Sequence, residues 1–268
     1  MSKSFLGISL AGLIVMSGTA FADDFFYFKN AGNDVAWNGI YVNPYTAVDK
    51  SEVNGPDLTI YCDDWNTDFS GNPYWYASVT ALTDVKANNT LLSNLKYGYS
   101  TSYWNVMETG TGYNATLSTT FQDQPPSPLN RYLEAAWLDN QWRTGAYGTS
   151  QDTEIELAAA VWLLFANDNA PTYHLDNLIG AINGSNYADA VFTYLQAAQT
   201  NAPNWNASGW SVITPDTSYF AGTAGQTING TGMQEFLVYS TPEPSAVILL
   251  GTVIGYLGLT KFRRRRQA

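Results

Sequence analysis

Of the basic residues in this 268-residue chain, Lys3 lies near the start, and Lys261, Arg263, Arg264, Arg265 and Arg266 lie at the end. Residues 23–240 therefore hold six basic side chains against 22 acidic ones and carry −16, where the whole chain carries −11. So acidic a body repels nucleic acid and anionic lipid, and 15% aromatic with only 13% charged residues excludes a disordered stalk.

In chain order, Lys3 precedes an apolar run from Phe5 to Met16 and small residues ending Ala20-Phe21-Ala22. This is a signal-peptide pattern, with cleavage by signal peptidase expected before Asp23. Phe25–Phe28, Gly39–Val42, Leu58–Cys62 and Tyr74–Leu82 are short β-rich runs separated by Asn, Gly, Pro and Asp. In the last of these, Tyr74, Tyr76 and Ser78 alternate with Trp75, Ala77 and Val79, as in a strand with one buried face. Beyond Pro128 a helix is expected from Leu129 to about Trp142, with Leu129, Tyr132, Leu133, Ala136 and Trp137 on one face. Thr153 with Glu156 reads as a capping box. The helix it opens, to about Phe165, is apolar almost all round and is expected to be the buried central helix. Weaker helical patterns follow at Leu175–Ile182 and Asn186–Ala198. From Trp210 the chain returns to β, ending in Phe236–Tyr239. The order predicts an α+β ectodomain over residues 23–240, in which the last strand rejoins a sheet begun near the N-terminus.

The tail, residues 241–268, has three parts. Pro242 and Pro244 hold Glu243 in an extended linker. An uncharged apolar run from Ala246 to Leu259 follows. Counted to Phe262, with Lys261 snorkelling, it approaches the about 17–25 residues of a membrane helix. The cluster of Lys261 and Arg263–Arg266 is a stop-transfer signal placed on the cytoplasmic side. With the export signal, this tail predicts a body outside the cytoplasm, held by one transmembrane helix.

Cys62, in Tyr61-Cys62-Asp63-Asp64-Trp65, is the sole cysteine, so no intramolecular disulfide is possible. It reads either as a small residue at a strand end or as a reactive thiol. As a thiol it would be discouraged from ionising by Asp63 and Asp64 unless they point away. Asp57, Asp63, Asp64 and Asp68 offer oxygen ligands without calcium-loop spacing, and no metal or cofactor is expected. His174, the sole histidine, has no nucleophile elbow to accompany it. No enzyme is expected. N-x-S/T triplets begin at Asn88, Asn114, Asn183, Asn206 and Asn229 and read mainly as turn chemistry. The Tyr and Trp content suits sugar stacking as well as core packing, with Trp75 and Trp104 the first candidates for an envelope polysaccharide.

Pro242-Glu243-Pro244, one apolar helix and a terminal basic cluster resemble the PEP-CTERM sorting signal of Gram-negative bacteria. That resemblance implies processing by an exosortase, a membrane cysteine transpeptidase, and a destination at the cell surface or in the extracellular matrix. Asn38–Thr46, Ile60–Trp65, Leu133–Leu138 and Ala158–Trp162 resemble one group of these proteins, with forms such as Y-C-D-D-[FWY] and A-A-[WY]-L. The same order of elements is similar to Cys-Gln thioester domains of bacterial surface adhesins. This second resemblance implies a bond between Cys62 and Gln234, with Trp162 as the helix tryptophan, and a partner that bears an amine. Ala158 stands where that pattern has a supporting glutamine. In the native host, Pro242→Ala with Pro244→Ala is expected to block processing, read as a protein that keeps the mass of its tail. Unchanged release would leave a plain membrane anchor.

Overall fold

The computed structural model describes residues 24–30, 36–37, 40–42, 44–51, 55–63, 74–98, 127–165, 178, 180–182, 184–216 and 234–240. The expected signal peptide, the expected cleavage residues Ala20, Ala22 and Asp23, and the whole tail from Thr241 lie outside the described residues. So do Asp64, Asp68, Trp104 and His174. No helix among the described residues is long and apolar enough to cross a membrane.

The fold mixes strands and helices around a closed six-stranded antiparallel barrel. Its strands are β1 (Asp24–Asn30), β4 (Tyr45–Asp49), β5 (Asp57–Cys62), β6 (Tyr74–Ala81), β7 (Trp210–Pro215) and β8 (Phe236–Tyr239), in the order β1-β4-β5-β8-β7-β6. The expected return of the last strand is thus observed: β8 sits between β5 and β7, and β1 closes the ring against β6. The expected Gly39–Val42 strand is only a two-residue arm, β3 (Ile40–Tyr41), paired with β2 (Ala36–Trp37) outside the barrel.

Alternation along each strand divides the apolar residues between two cores. Phe26, Tyr45, Ile60, Trp75, Ile213 and Phe236 fill the barrel interior. Their neighbours Tyr61, Val212 and Leu237 point outward into a larger core made with the helices. Leu82, expected to end the strand at 74, instead opens a short helix, α1 (Leu82–Ala87), whose Leu82 and Val85 bury in this outer core.

The outer core is built on α2 (Pro128–Thr144), α3 (Gln151–Phe165) and α4 (Ala188–Asn201). Ser127 caps α2 by accepting from the Asn130 amide at 3.2 Å, Pro128 occupies its first turn, and Gly145 at φ 67° ends it in the left-handed region. α3 is apolar around nearly its whole circumference and is buried from Leu157 to Phe165, as expected. Its cap is different from the one expected. Ser150 Oγ accepts the Thr153 amide at 3.2 Å, so the helix starts three residues early and Thr153 lies within its first turn. Ser150 also has a hydroxyl of the kind that caps a helix, and its bond to the Thr153 amide places the start there. At Asn88 and Asn206 the side chain accepts an amide two residues on, the turn chemistry expected of those triplets.

Gly209, at φ +84°, makes the turn into β7, and its carbonyl accepts the Ser240 amide at 2.8 Å. A Cβ there would stand 2.8 Å from the Ser240 carbonyl oxygen and 2.9 Å from the Tyr239 ring. Gly209→Ala is expected to cost about 1–3 kcal/mol, measured as a lower urea midpoint. An unchanged midpoint would contradict the left-handed turn.

Candidate functional site

Cys62 closes β5, and its strand partner is Phe236 at the start of β8. In an antiparallel pair, opposed residues share a face, and so do residues two apart on one strand. Cys62 packs with Ile60 and Phe236 against the barrel interior. Gln234, two residues ahead of Phe236 and just before β8, is buried, at 6% exposure. The register thus brings the end of β5 at Cys62 to the start of β8, two residues after Gln234, from distant parts of the chain.

The helix layer supports the same point. Trp162 on α3 donates its indole N–H to the Cys62 carbonyl at 3.1 Å, which fixes the end of β5 against the central helix. Ala158, one helical turn earlier, is buried and offers only a methyl group. The structure therefore joins Cys62, Trp162 and the segment bearing Gln234. It supplies no polar side chain at the position where the resembled pattern has a second glutamine.

The residues flanking the pair face the other way. Asp63 is fully buried, and its charge acts on Tyr132 of α2. Glu235, also fully buried, accepts the Tyr132 hydroxyl at 2.6 Å, the Lys96 amide at 2.9 Å and the Thr214 hydroxyl at 2.6 Å. Tyr132 in turn accepts the Tyr97 amide at 3.0 Å. Burial, and then the carboxyl groups of Glu235 and Asp63, hold the Tyr132 phenol well above its usual range. The alternation thus sends Asp63 to the helix side and Cys62 to the barrel side, so this acid points away from the thiol. Glu235 is a residue the sequence reading missed. Its one signal was an acid set directly before the apolar run Phe236–Tyr239.

Further buried acid lies on α2. Burial raises the Asp139 carboxyl well above its normal value, and Asp139 Oδ2 has no hydrogen-bond partner among the described residues. Tyr61, beside Cys62, is pushed up by its own burial and by the Asp139 charge, against the opposing effect of Arg143. Glu134 is raised to about 8 by burial, with Arg131 pulling the other way. Among the described residues no group of three or more His, Cys, Asp or Glu side chains is placed to hold a metal ion. Trp75, offered by the sequence as a sugar platform, is 1% exposed inside the barrel and cannot serve as one.

No protein-family model matches the chain, and no curated protein matches it in sequence. Among solved structures it is similar to the N-terminal thioester domain of fibronectin-binding protein SfbI from Streptococcus pyogenes. That likeness has a TM-score of 0.36 and 11% identity, and covers 84% of this chain and 97% of that domain. At this level of similarity, the site has to stand on this chain's own residues.

The Glu134 shift has a consequence for stability. Its folded value, about 8, lies above the ordinary 4.5, so between these the native state holds a proton that the unfolded chain has lost. Stability falls as pH rises through this window and levels off above it. Glu134→Gln is expected to flatten that decline, read from urea midpoints between pH 5 and 9 (about the same window). An unaltered slope would mean that Glu134 is charged in the folded protein.

Proposed function

We propose that this is an exported surface or matrix protein, sorted through its Pro242-Glu243-Pro244 tail, whose barrel domain attaches covalently to a partner through a Cys62–Gln234 thioester. The sorting half rests on the sequence signals at the two ends. The attachment half is supported by one observation: the β5–β8 register sets Cys62 opposite Phe236, two residues after the buried Gln234. The Trp162 hydrogen bond to the Cys62 carbonyl supports it by holding that strand end in place.

The chemistry is balanced within the pair. Cys62 Sγ attacks the side-chain carbonyl carbon of Gln234. The S–C bond forms, the C–N bond breaks, and the carboxamide nitrogen leaves as ammonia with the thiol proton. Burial of Gln234 shields the resulting ester from water. An amine on a partner surface then forms an amide at that carbon and returns the thiol. The protein is consumed in one turnover, so its action is stoichiometric and not that of an enzyme.

The test is the intact mass of the purified protein, with and without methylamine. The expected mass is one ammonia below that of the processed sequence, rising by one methylamine on treatment. Cys62→Ala and Gln234→Ala are each expected to show no such deficit. A full mass, with Cys62 alkylated freely under denaturing conditions, would overturn the thioester and leave Cys62 a packing residue at a strand end.

A further inference from the structure

Trp162, in the last turn of α3, donates to the Cys62 carbonyl at 3.1 Å. Three residues on, the Phe165 ring lies 5.0 Å from that of Tyr132 and 5.2 Å from that of Tyr97. These two tyrosines lead to Glu235. The Tyr97 amide donates to the Tyr132 hydroxyl at 3.0 Å, and that hydroxyl donates to Glu235 Oε1 at 2.6 Å. Glu235 Oε2 accepts the Thr214 hydroxyl at 2.6 Å and the Lys96 amide at 2.9 Å. One turn of the central helix thus reaches the backbone of Cys62 directly and the neighbour of Gln234 through two rings.

We infer that Glu235 is a positioning residue for the Cys62–Gln234 reaction, holding Gln234 from the adjoining peptide while Trp162 holds Cys62. The inference rests on the thioester reading above, and three observations carry it. Glu235 stands between Gln234 and Phe236, the strand partner of Cys62, so the Gln234 Cα is one peptide, about 3.8 Å, from an anchored one. The anchor has three sides. Its donors come from α2, from β7 and from the backbone at Lys96, and both carboxyl oxygens are engaged. The group cannot swing without leaving a donor unpaired. Lastly, Ala158, one turn before Trp162, offers only a methyl group to steady the site from the helix.

Attack of Cys62 Sγ on the Gln234 carbonyl carbon is intramolecular, so its rate follows how often the two groups meet in reactive geometry. A looser Glu235 makes the Gln234 peptide looser and that meeting rarer. Glu235 exchanges no proton in the step: the ammonia still leaves with the thiol proton.

The full chain, made in a cell-free system, tests this when its intact mass is followed with time, since loss of one ammonia reports thioester formation. Glu235 is left in place, because removing it would strand three donors at once. Thr214→Val suits a strand, removes one donor and is expected to slow formation about tenfold, while Thr214→Ser, which keeps the hydroxyl, restores it. Tyr132→Phe keeps its ring against Phe165 and is expected to slow formation likewise. Leu195→Ala on α4 removes core volume without touching a donor. It is expected to lower the thermal midpoint and to keep the wild-type rate. Wild-type rates in folded Thr214→Val and Tyr132→Phe chains would overturn the positioning role and leave the thioester standing. A Leu195→Ala chain slowed as much as these two would also overturn it, by assigning the effect to stability alone. A wild-type chain that keeps its full mass would overturn the thioester and the positioning role together.

Discussion

The structure depends on one buried carboxyl group. Glu235 receives three donors, from the Lys96 amide just beyond the 3₁₀ turn Asn89–Asn94, Tyr132 on α2 and Thr214 on β7. Each is an interaction with a different part of the chain, and each would leave a buried polar group unsatisfied if it were lost. Glu235 immediately precedes β8, so these bonds fix where β8 begins and hence which residues oppose β5. The β5–β8 register that places Cys62 opposite Phe236 is therefore held from the helix side of the wall.

Strand alternation then separates two chemistries that the sequence places side by side. Cys62 belongs to the barrel face, while Asp63 and Glu235 act on Tyr132 of the helix layer. A one-residue slip would exchange these sets and put acid beside the thiol. Trp162 adds a hydrogen bond from the central helix to the backbone of the same strand end. The barrel and the helix layer thus meet at Cys62, where the wall is held from both sides.

The buried acids carry a cost that the packing must offset. Glu134, Asp139, Asp63 and Glu235 all lie in or beside the outer core, and burial raises Glu134 and Asp139. Arg131 on the same helix opposes the shift at Glu134. Such groups are expensive singly and acceptable when donors converge on them, as they do at Glu235.

Much of the fold was legible in the sequence because periodicity reports burial directly. Alternation marked β6, the all-apolar stretch before Phe165 marked the central helix, and Phe236–Tyr239 marked the returning strand. Composition and the two terminal patterns set the expectation of an acidic, exported body. Pairing was decided only in three dimensions, since a strand's sequence names its two faces and not its neighbours. Trp75 shows the limit: its alternation was correctly read, yet only closure of the barrel put that face inside. The same closure paired the strand end at Cys62 with Phe236, two residues after Gln234. Local physics determined the elements, and the long-range register, locked by Glu235, determined the sites.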